Sequence, residues 1–353
     1  MKVALIIPNN LWFCPYVNIY TNILQDIGVE FDIISWNRDA SESLKFQYNY
    51  HIKTRNKIGL LYAYIKYALY VKRIIQQQSY DKLIVFTPQI GIFLASYLRK
   101  FYQNNYIFDY RDLSIEQAFY FKPLFHILLK NSYINCISSP GFKQYLPKQY
   151  DYVLSHNFDI NLVEEALTTT SINPVTKDVI KVLTIGGIRD YESNIQVIDA
   201  LENRHLFHLA FVGKGPSASD LEKYVIAKSI KNITFTGYYQ KLEEPTYIKD
   251  STFLNIFYPR KASHDSALSN RFYNSLIYRR PMIVTKDTTQ GDYVSTHNIG
   301  IAIENCNSLA EQIQYFLTNL DFDKYNEQCK KLLRLFIQDY NFFKTSINNF
   351  IYK

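Results

Sequence analysis

The chain has 353 residues, of which 47% are hydrophobic and 20% charged. That balance excludes a disordered polymer, and the length exceeds the needs of one small core, so two domains are expected. The net charge of +7 favours anionic partners such as nucleotides or phospholipid surfaces.

Basic residues are spread along the chain rather than gathered in one aromatic-laced stripe, which argues against a nucleic-acid partner. Cys14, Cys136, Cys306 and Cys329 share no metal or framework spacing, as suits reduced thiols in a cytosolic protein. No apolar run reaches the length of a membrane span, and the apolar part of "MKVALIIPNN" is too short for a secretory signal.

Short apolar runs alternate with helical patterns from the first residues onward. "KVALIIP" (2–8) reads as a buried strand, "YVNIYTNILQDIG" (16–28) as a helix stopped by Gly28, and "VEFDIISW" (29–36) as a second strand. A basic, aromatic helix is expected over 57–78. Strands are expected at 82–88, 106–110, 133–139 and 152–156. Residues 168–178, polar and without period, read as a linker.

The alternation then restarts. Strands are expected at 179–187, 208–216, 232–238, 252–259, 281–285 and 299–303, with helices between them and a helical tail. Such alternation implies parallel sheets covered on both faces. The expected fold is α/β, with two Rossmann-like doubly wound domains facing a cleft. Their bounds are 1–167 and 179–335, and 336–353 forms a C-terminal helix able to pack back on the first domain.

Ligands of such sheets bind beyond the carboxyl ends of the strands. There the second half carries "GGIRD", "GKGPS", "GYY" and "YPRKASHDSALSN". Gly186 and Gly187 can open a turn against a phosphate, with Arg189 as its clamp; the competing reading is a plain strand-end turn. Lys214 either faces an anion or is simply solvated. In "ALSNRFYNSLIYRRPMIV" and the residue before it, Ser266, Asn270 and Asn274 are spaced for one face of a helix that Ser269 can cap. Capping does not account for Asn270, Arg271 and Asn274 together, which points to a polar ligand at the helix front.

In order and spacing, these segments resemble the donor domain of bacterial family 4-type glycosyltransferases with the GT-B fold, of the kind found in capsule and exopolysaccharide clusters. The likeness spans about residues 179–304. "FDYRDLS" (108–114) and "VLSHNFDI" (153–160) extend it more weakly into the first half.

The resemblance implies a nucleotide-sugar donor, UDP-, GDP- or dTDP-linked, held by the second domain without a metal or other cofactor. It implies Gly187, Arg189, Lys214, Tyr238, Ser269, Asn270, Arg271 and Asn274 as donor-binding residues. Arg189 would neutralise the leaving diphosphate, Tyr238 would stack on the base, and Asn274 would meet the ribose. The chain departs from the family pattern at Ser266 and Asn274, where two glutamates eight apart are usual, and at Arg279 and Arg280, where glycines are usual.

On the acceptor side the candidates are Asn10, Asp109 and Arg111, with Asp112 as a catalytic carboxylate; an equal reading makes Asp109 or Asp112 a helix cap. His156 reads as a loop hydrogen-bonder. The acceptor implied is a lipid-linked glycan, near which the 57–78 helix, with Arg55 beside it, could dock on anionic lipid at the inner face of the plasma membrane. An internal helix with a solvated basic stripe fits that segment equally. The rivals to glycosyl transfer are a non-catalytic GT-B subunit binding sugar or a partner enzyme, and a nucleotide-sugar epimerase.

Overall fold

The computed structural model describes residues 1–38, 47–52, 57–169 and 178–353. Arg55 and most of the expected linker, residues 170–177, lie outside the described residues. The chain forms two compact units, residues 1–157 with 338–353, and residues 158–337.

The first unit is built on a seven-stranded sheet. Its elements in chain order are β1 (Lys2–Ile7), α1 (Val17–Asp26), β2 (Glu30–Trp36), β3 (Gln47–Tyr50), α2 (Lys57–Gln78), β4 (Lys82–Phe86), α3 (Pro88–Phe101), β5 (Tyr106–Tyr110), α4 (Lys122–Asn131), β6 (Ile134–Ile137) and β7 (Val153–Leu154). The spatial order is β3-β2-β1-β4-β5-β6-β7, and every pair is parallel. Strands β1, β4 and β5 are buried on both faces, which is why they read as unbroken apolar runs. Gly28 ends the α1 region with φ +66, a conformation that favours glycine. The short polar strand β3, "QYNY", is not legible as a strand; it forms at the sheet edge, where Tyr50 packs 5.5 Å from Tyr67 of α2.

Helix α2 divides sharply by face. Ala63, Tyr64, Tyr67, Ala68 and Val71 are buried, and the Tyr67 hydroxyl donates to the Ile7 and Ile34 carbonyls. Leu61, Ile65 and Leu69, one helical turn apart, are exposed instead, with Tyr62, Lys66 and Arg73 beside them. Lys66 lies over the Tyr62 ring at 5.3 Å. Among the described residues no helix is long and apolar enough to cross a membrane.

The second unit carries a six-stranded parallel sheet, ordered β10-β9-β8-β11-β12-β13. Its elements are α5 (Ile160–Thr168), β8 (Ile180–Ile185), α6 (Tyr191–Leu201), β9 (Phe207–Val212), α7 (Ala218–Ala227), β10 (Ile233–Gly237), α8 (Glu244–Lys249), β11 (Phe253–Ile256), α9 (Ala262–Ser266), α10 (Asn270–Ile277), β12 (Met282–Thr285), α11 (Thr289–His297), β13 (Gly300–Ile303), α12 (Leu309–Thr318) and α13 (Phe322–Tyr352). Alternate residues of β8 serve opposite cores: Leu183 and Ile185 join one apolar cluster with α10 and α13, and Val182 joins another with α6 and α12. Residues 158–167 pack in this second unit, where Phe158 meets Tyr273 and Phe336. They therefore stand outside the first unit, in contrast to the boundary drawn from sequence.

Arg279 and Arg280 do end α10, as their place before Pro281 suggests, but they do more. Arg279 donates to the carbonyls of Ile277 and Ala166, and Arg280 to those of Ile248 and Lys249. The pair thus bonds carbonyls in the last turns of α10, α5 and α8. Burial lowers both guanidinium pKa values, and the carbonyls offset part of that desolvation.

The last stretch of α13 belongs to the first unit. Phe343, Ile347, Phe350 and Ile351 are buried in the cluster that contains Val3, Leu5 and Ile7 of β1. Truncation of Phe343 to Ala should destabilise this unit by about 3–5 kcal/mol. Both tryptophans, Trp12 and Trp36, lie in the same unit, so urea unfolding followed by their fluorescence checks it.

Candidate functional site

The sheet order of the second unit reverses direction between β8 and β11, so the crevice beyond their carboxyl ends is where a ligand is expected. After β8 the chain turns through Gly186, with φ +95, and Gly187. The Gly186 amide donates to the Val212 carbonyl at 2.9 Å and the Ile188 amide to the Lys214 carbonyl at 3.2 Å. The amides of Gly187 and Arg189 have no protein partner among the described residues. The Arg189 side chain is exposed and folds back over Gly187.

The glycines of "VGKGP" have a packing role. A Cβ on Gly213 would stand 2.0 Å from the Gly186 carbonyl oxygen, and one on Gly215 would stand 2.1 Å from that of Ile188. Two backbones touch here, and neither position has room for a side chain. Lys214 between them is exposed, with its ammonium 5.7 Å from the ring centre of Tyr238, which is itself 71% exposed.

Beside the Gly186–Gly187 turn lies a cavity of about 330 Å³. It brings together five of the expected donor-binding residues: Gly187, Arg189, Ser269, Asn270 and Arg271. Lys214, Tyr238 and Asn274 do not line it.

The helix expected at 269–279 forms as α10, but Ser266 belongs to a separate, preceding helix. Ser266 ends α9, Ala267 and Ser269 are extended, and α10 starts at Asn270. Ser266, Asn270 and Asn274 therefore do not share one helix face. Ser269 does cap α10, accepting from the Phe272 amide at 3.3 Å. Its own hydroxyl donates to Gln290 Oε1 at 2.7 Å, and Gln290 is a buried cavity residue that nothing local in the sequence singled out.

Arg271 is held beneath the turn rather than presented to open space. Its guanidinium donates to the Ile185, Asn255 and Gly187 carbonyls, at 2.5, 3.1 and 3.1 Å. It fastens the ends of β8 and β11 and leaves a positive charge behind the turn. With the start of α10, it gives this end of the cavity a positive potential suited to an anion.

The cavity also holds an ion pair. Glu244, whose side chain is 9% exposed, accepts from Asn274 Nδ2 at 2.6 Å and pairs with Lys241. The Tyr239 hydroxyl lies 3.4 Å from its Oε2. Burial first, and the Glu244 charge second, push the Tyr239 phenol up to about 12, so it remains a donor at neutral pH. Asn274 is thus tied to a carboxylate that arrives from α8, thirty residues earlier in the chain. Tyr239 and Glu244 follow β10 just beyond Tyr238; attention to every polar residue after a strand end would have found them. His264 also lines the cavity, with Nδ1 3.2 Å from the Pro259 carbonyl.

In the first unit the acceptor-side candidates sit at the carboxyl ends of β1 and β5. Asn10 is fully buried; its amide donates to Asn37 Oδ1 at 2.8 Å, and its carbonyl oxygen accepts from the Arg38 amide at 2.9 Å. Asp109 is fully buried too, bonded to the Tyr20 hydroxyl and to Arg111 at 2.5 Å each. Arg111 also donates to the Ser155 carbonyl and hydroxyl. These three residues tie strand ends together. Asp112 is exposed, and its Oδ1 accepts from the neighbouring Leu113 amide at 2.8 Å. His156 is buried, with Nε2 3.0 Å from Asp339. Among the described residues no three His, Cys, Asp or Glu side chains are grouped as a metal site requires.

No protein-family model and no curated protein sequence matches the chain. Solved structures do. A sucrose-phosphate synthase from Thermosynechococcus elongatus aligns with TM-score 0.73 at 14% identity, covering 99% of each chain. The Anabaena protein HepE, solved in complex with UDP, aligns with TM-score 0.70 at 11% identity, covering 99% of this chain and 100% of that one. A glycosyltransferase from Rickettsia africae aligns with TM-score 0.68 at 13% identity, covering 99% and 96%. The fold is accordingly α/β of the GT-B kind, with two Rossmann-like domains.

Because backbone meets backbone at Gly215, Gly215→Ala should destabilise the second unit by about 3 kcal/mol. A thermal melt of the variant beside the parent checks this, and Lys214→Ala, on the exposed residue between the two glycines, should leave the melt unchanged.

Proposed function

We propose that the protein is a glycosyltransferase that moves a sugar from a nucleoside diphosphate sugar to a glycan acceptor. The observation that carries this reading is the cavity at the β8/β11 switch point. There Gly187 and Arg189, whose amides have no protein partner among the described residues, line one space together with the start of α10. Such a set is built for a diphosphate. The fold likeness to glycosyltransferases and to a UDP-bound protein supports it.

Charge accumulates on the diphosphate as the bond from sugar to phosphate breaks. Arg189, exposed at the cavity, is assigned to stabilise that charge, with the buried Arg271 contributing from behind. Positive groups of the chain itself then serve where a metal would otherwise be needed. Asp112, exposed beyond β5, is assigned to orient or deprotonate the acceptor hydroxyl.

The acceptor we infer is lipid-linked, in surface polysaccharide assembly at the inner face of the plasma membrane. The exposed Leu61–Ile65–Leu69 stripe of α2, flanked by Lys66 and Arg73, supports this: apolar side chains can enter the acyl boundary while the cations meet anionic headgroups. The rival reading, a non-catalytic nucleotide-binding subunit, draws on the uncharged Ser266 and Asn274 where the resembled family carries its glutamates.

Thermal-shift measurements with UDP, GDP, CDP and dTDP, each with and without magnesium, test the donor site. One nucleotide should raise the melting temperature, indifferent to magnesium, since saturation at a hundred times Kd adds about 2.7 kcal/mol. Arg189→Ala should weaken that nucleotide by about ten- to a hundredfold with the melt of the free protein unchanged. Binding without sugar transfer to any acceptor would favour the non-catalytic subunit. Cosedimentation tests the membrane arm: vesicles rich in phosphatidylglycerol should retain the protein and pure phosphatidylcholine should not. Ile65→Glu with Leu69→Glu should release it, and equal binding to both vesicle types would end the lipid reading.

A further inference from the structure

The geometry points to Glu244 as the residue that selects a ribonucleotide over a 2′-deoxyribonucleotide, which rests on the donor reading above and narrows it. The cavity has two chemical poles. One is the turn at Gly187 and Arg189 with the start of α10, which suits a diphosphate. The other is the Glu244 carboxylate with Tyr239.

A carboxylate only accepts hydrogen bonds, through about four lone-pair directions. Asn274, Lys241 and the distant Tyr239 hydroxyl account for three of these at Glu244. Acceptor capacity therefore remains in a wall where the side chain is almost fully buried. A ligand hydroxyl meets that capacity; a ligand carbonyl or phosphate does not. Asn274 and Lys241 hold the carboxylate, so its direction is set before a ligand arrives.

The position along the ligand follows from its order of parts. In a nucleoside diphosphate the ribose stands between base and diphosphate. The Tyr239 hydroxyl lies 3.9 Å from the point where a Cβ on Gly186 would stand, so the Tyr239–Glu244 pair borders the diphosphate turn directly. On the same flank, beyond β10, the Tyr238 ring is exposed and available to a base. Between turn and ring comes the ribose, and its 2′-hydroxyl is the donor that Glu244 would accept. The flank beyond β11, with Tyr258 and His264, is left for the transferred sugar. A 2′-deoxyribose leaves the remaining acceptor direction of the carboxylate without a donor, and an unmet buried acceptor discriminates against that ligand.

Isothermal titration with UDP, GDP, CDP and ADP, each beside its 2′-deoxy counterpart, reads this out. For whichever base binds, the ribonucleotide should be tighter by about ten- to a hundredfold. Glu244→Gln, which keeps the shape, and Glu244→Ala should both shrink that ratio to within about threefold, chiefly by weakening the ribonucleotide. The wild-type ratio needs no variant, so a misfolding substitution leaves the test intact. Equal affinity for the ribo and deoxy forms, or a preference that survives both substitutions, overturns the assignment while the donor site stands. Failure of every nucleotide to bind overturns the donor reading, and this assignment with it.

Discussion

The second unit's site depends on a contact between two stretches of main chain. Where β8 and β9 end, the loops approach so closely that Gly213 and Gly215 lie against the carbonyls of Gly186 and Ile188. This contact fixes the turn from one side. Arg271 fixes it from another by taking up the carbonyls of Ile185 and Gly187. With carbonyls drawn back and the Gly186 and Ile188 amides already bonded, the Gly187 and Arg189 amides are the ones left without a protein partner among the described residues. Contacts on both sides order the turn in advance, which is what lowers the cost of ordering in any site that uses such a turn.

The arginines of "SNRFYNSLIYRR" show how a charge can serve structure without a carboxylate. Arg271, Arg279 and Arg280 are all at most 9% exposed, and each places its guanidinium on main-chain oxygens. A planar group with five donors can satisfy several carbonyls at once, which a lysine cannot. α10 is thereby tied to strand ends at its front and to helix ends at its back. The charge of Arg271 is felt in the cavity, but that of the other two is consumed in holding α5, α8 and α10 together.

The strand–helix alternation and the parallel sheets were legible because doubly covered strands are long apolar words, as in "VALII" and "VLTI". Strand β3 was not, since "QYNY" has no apolar run and owes its place to the aromatic face of α2. The front of α10 was legible as special from its polar residues, and Arg189 and Gly187 from their place after a strand. What those side chains touch was not. Asn274 reaches a glutamate of α8, Arg271 reaches the ends of two strands, and Asp109 reaches Tyr20 of α1. Each of these partnerships spans tens of residues, and local spacing carries no trace of it. Spacing also suggested one helix through Ser266, whereas the extended backbone of Ala267 and Ser269 divides it.

The final helix has a consequence for the order in which the chain can mature. Phe343, Ile347 and Phe350 complete a core whose other members include residues of the first strand. During synthesis the sheet of the first unit is finished by residue 154, yet the face that α1 covers in part stays incomplete until Phe343, Ile347 and Phe350 have been made. The second unit, continuous in sequence, has no such wait. A ribosome-bound intermediate therefore pairs a sheet lacking its last helix with a second unit able to close first, and for that interval the exposed apolar face of the first unit is a natural target for a chaperone.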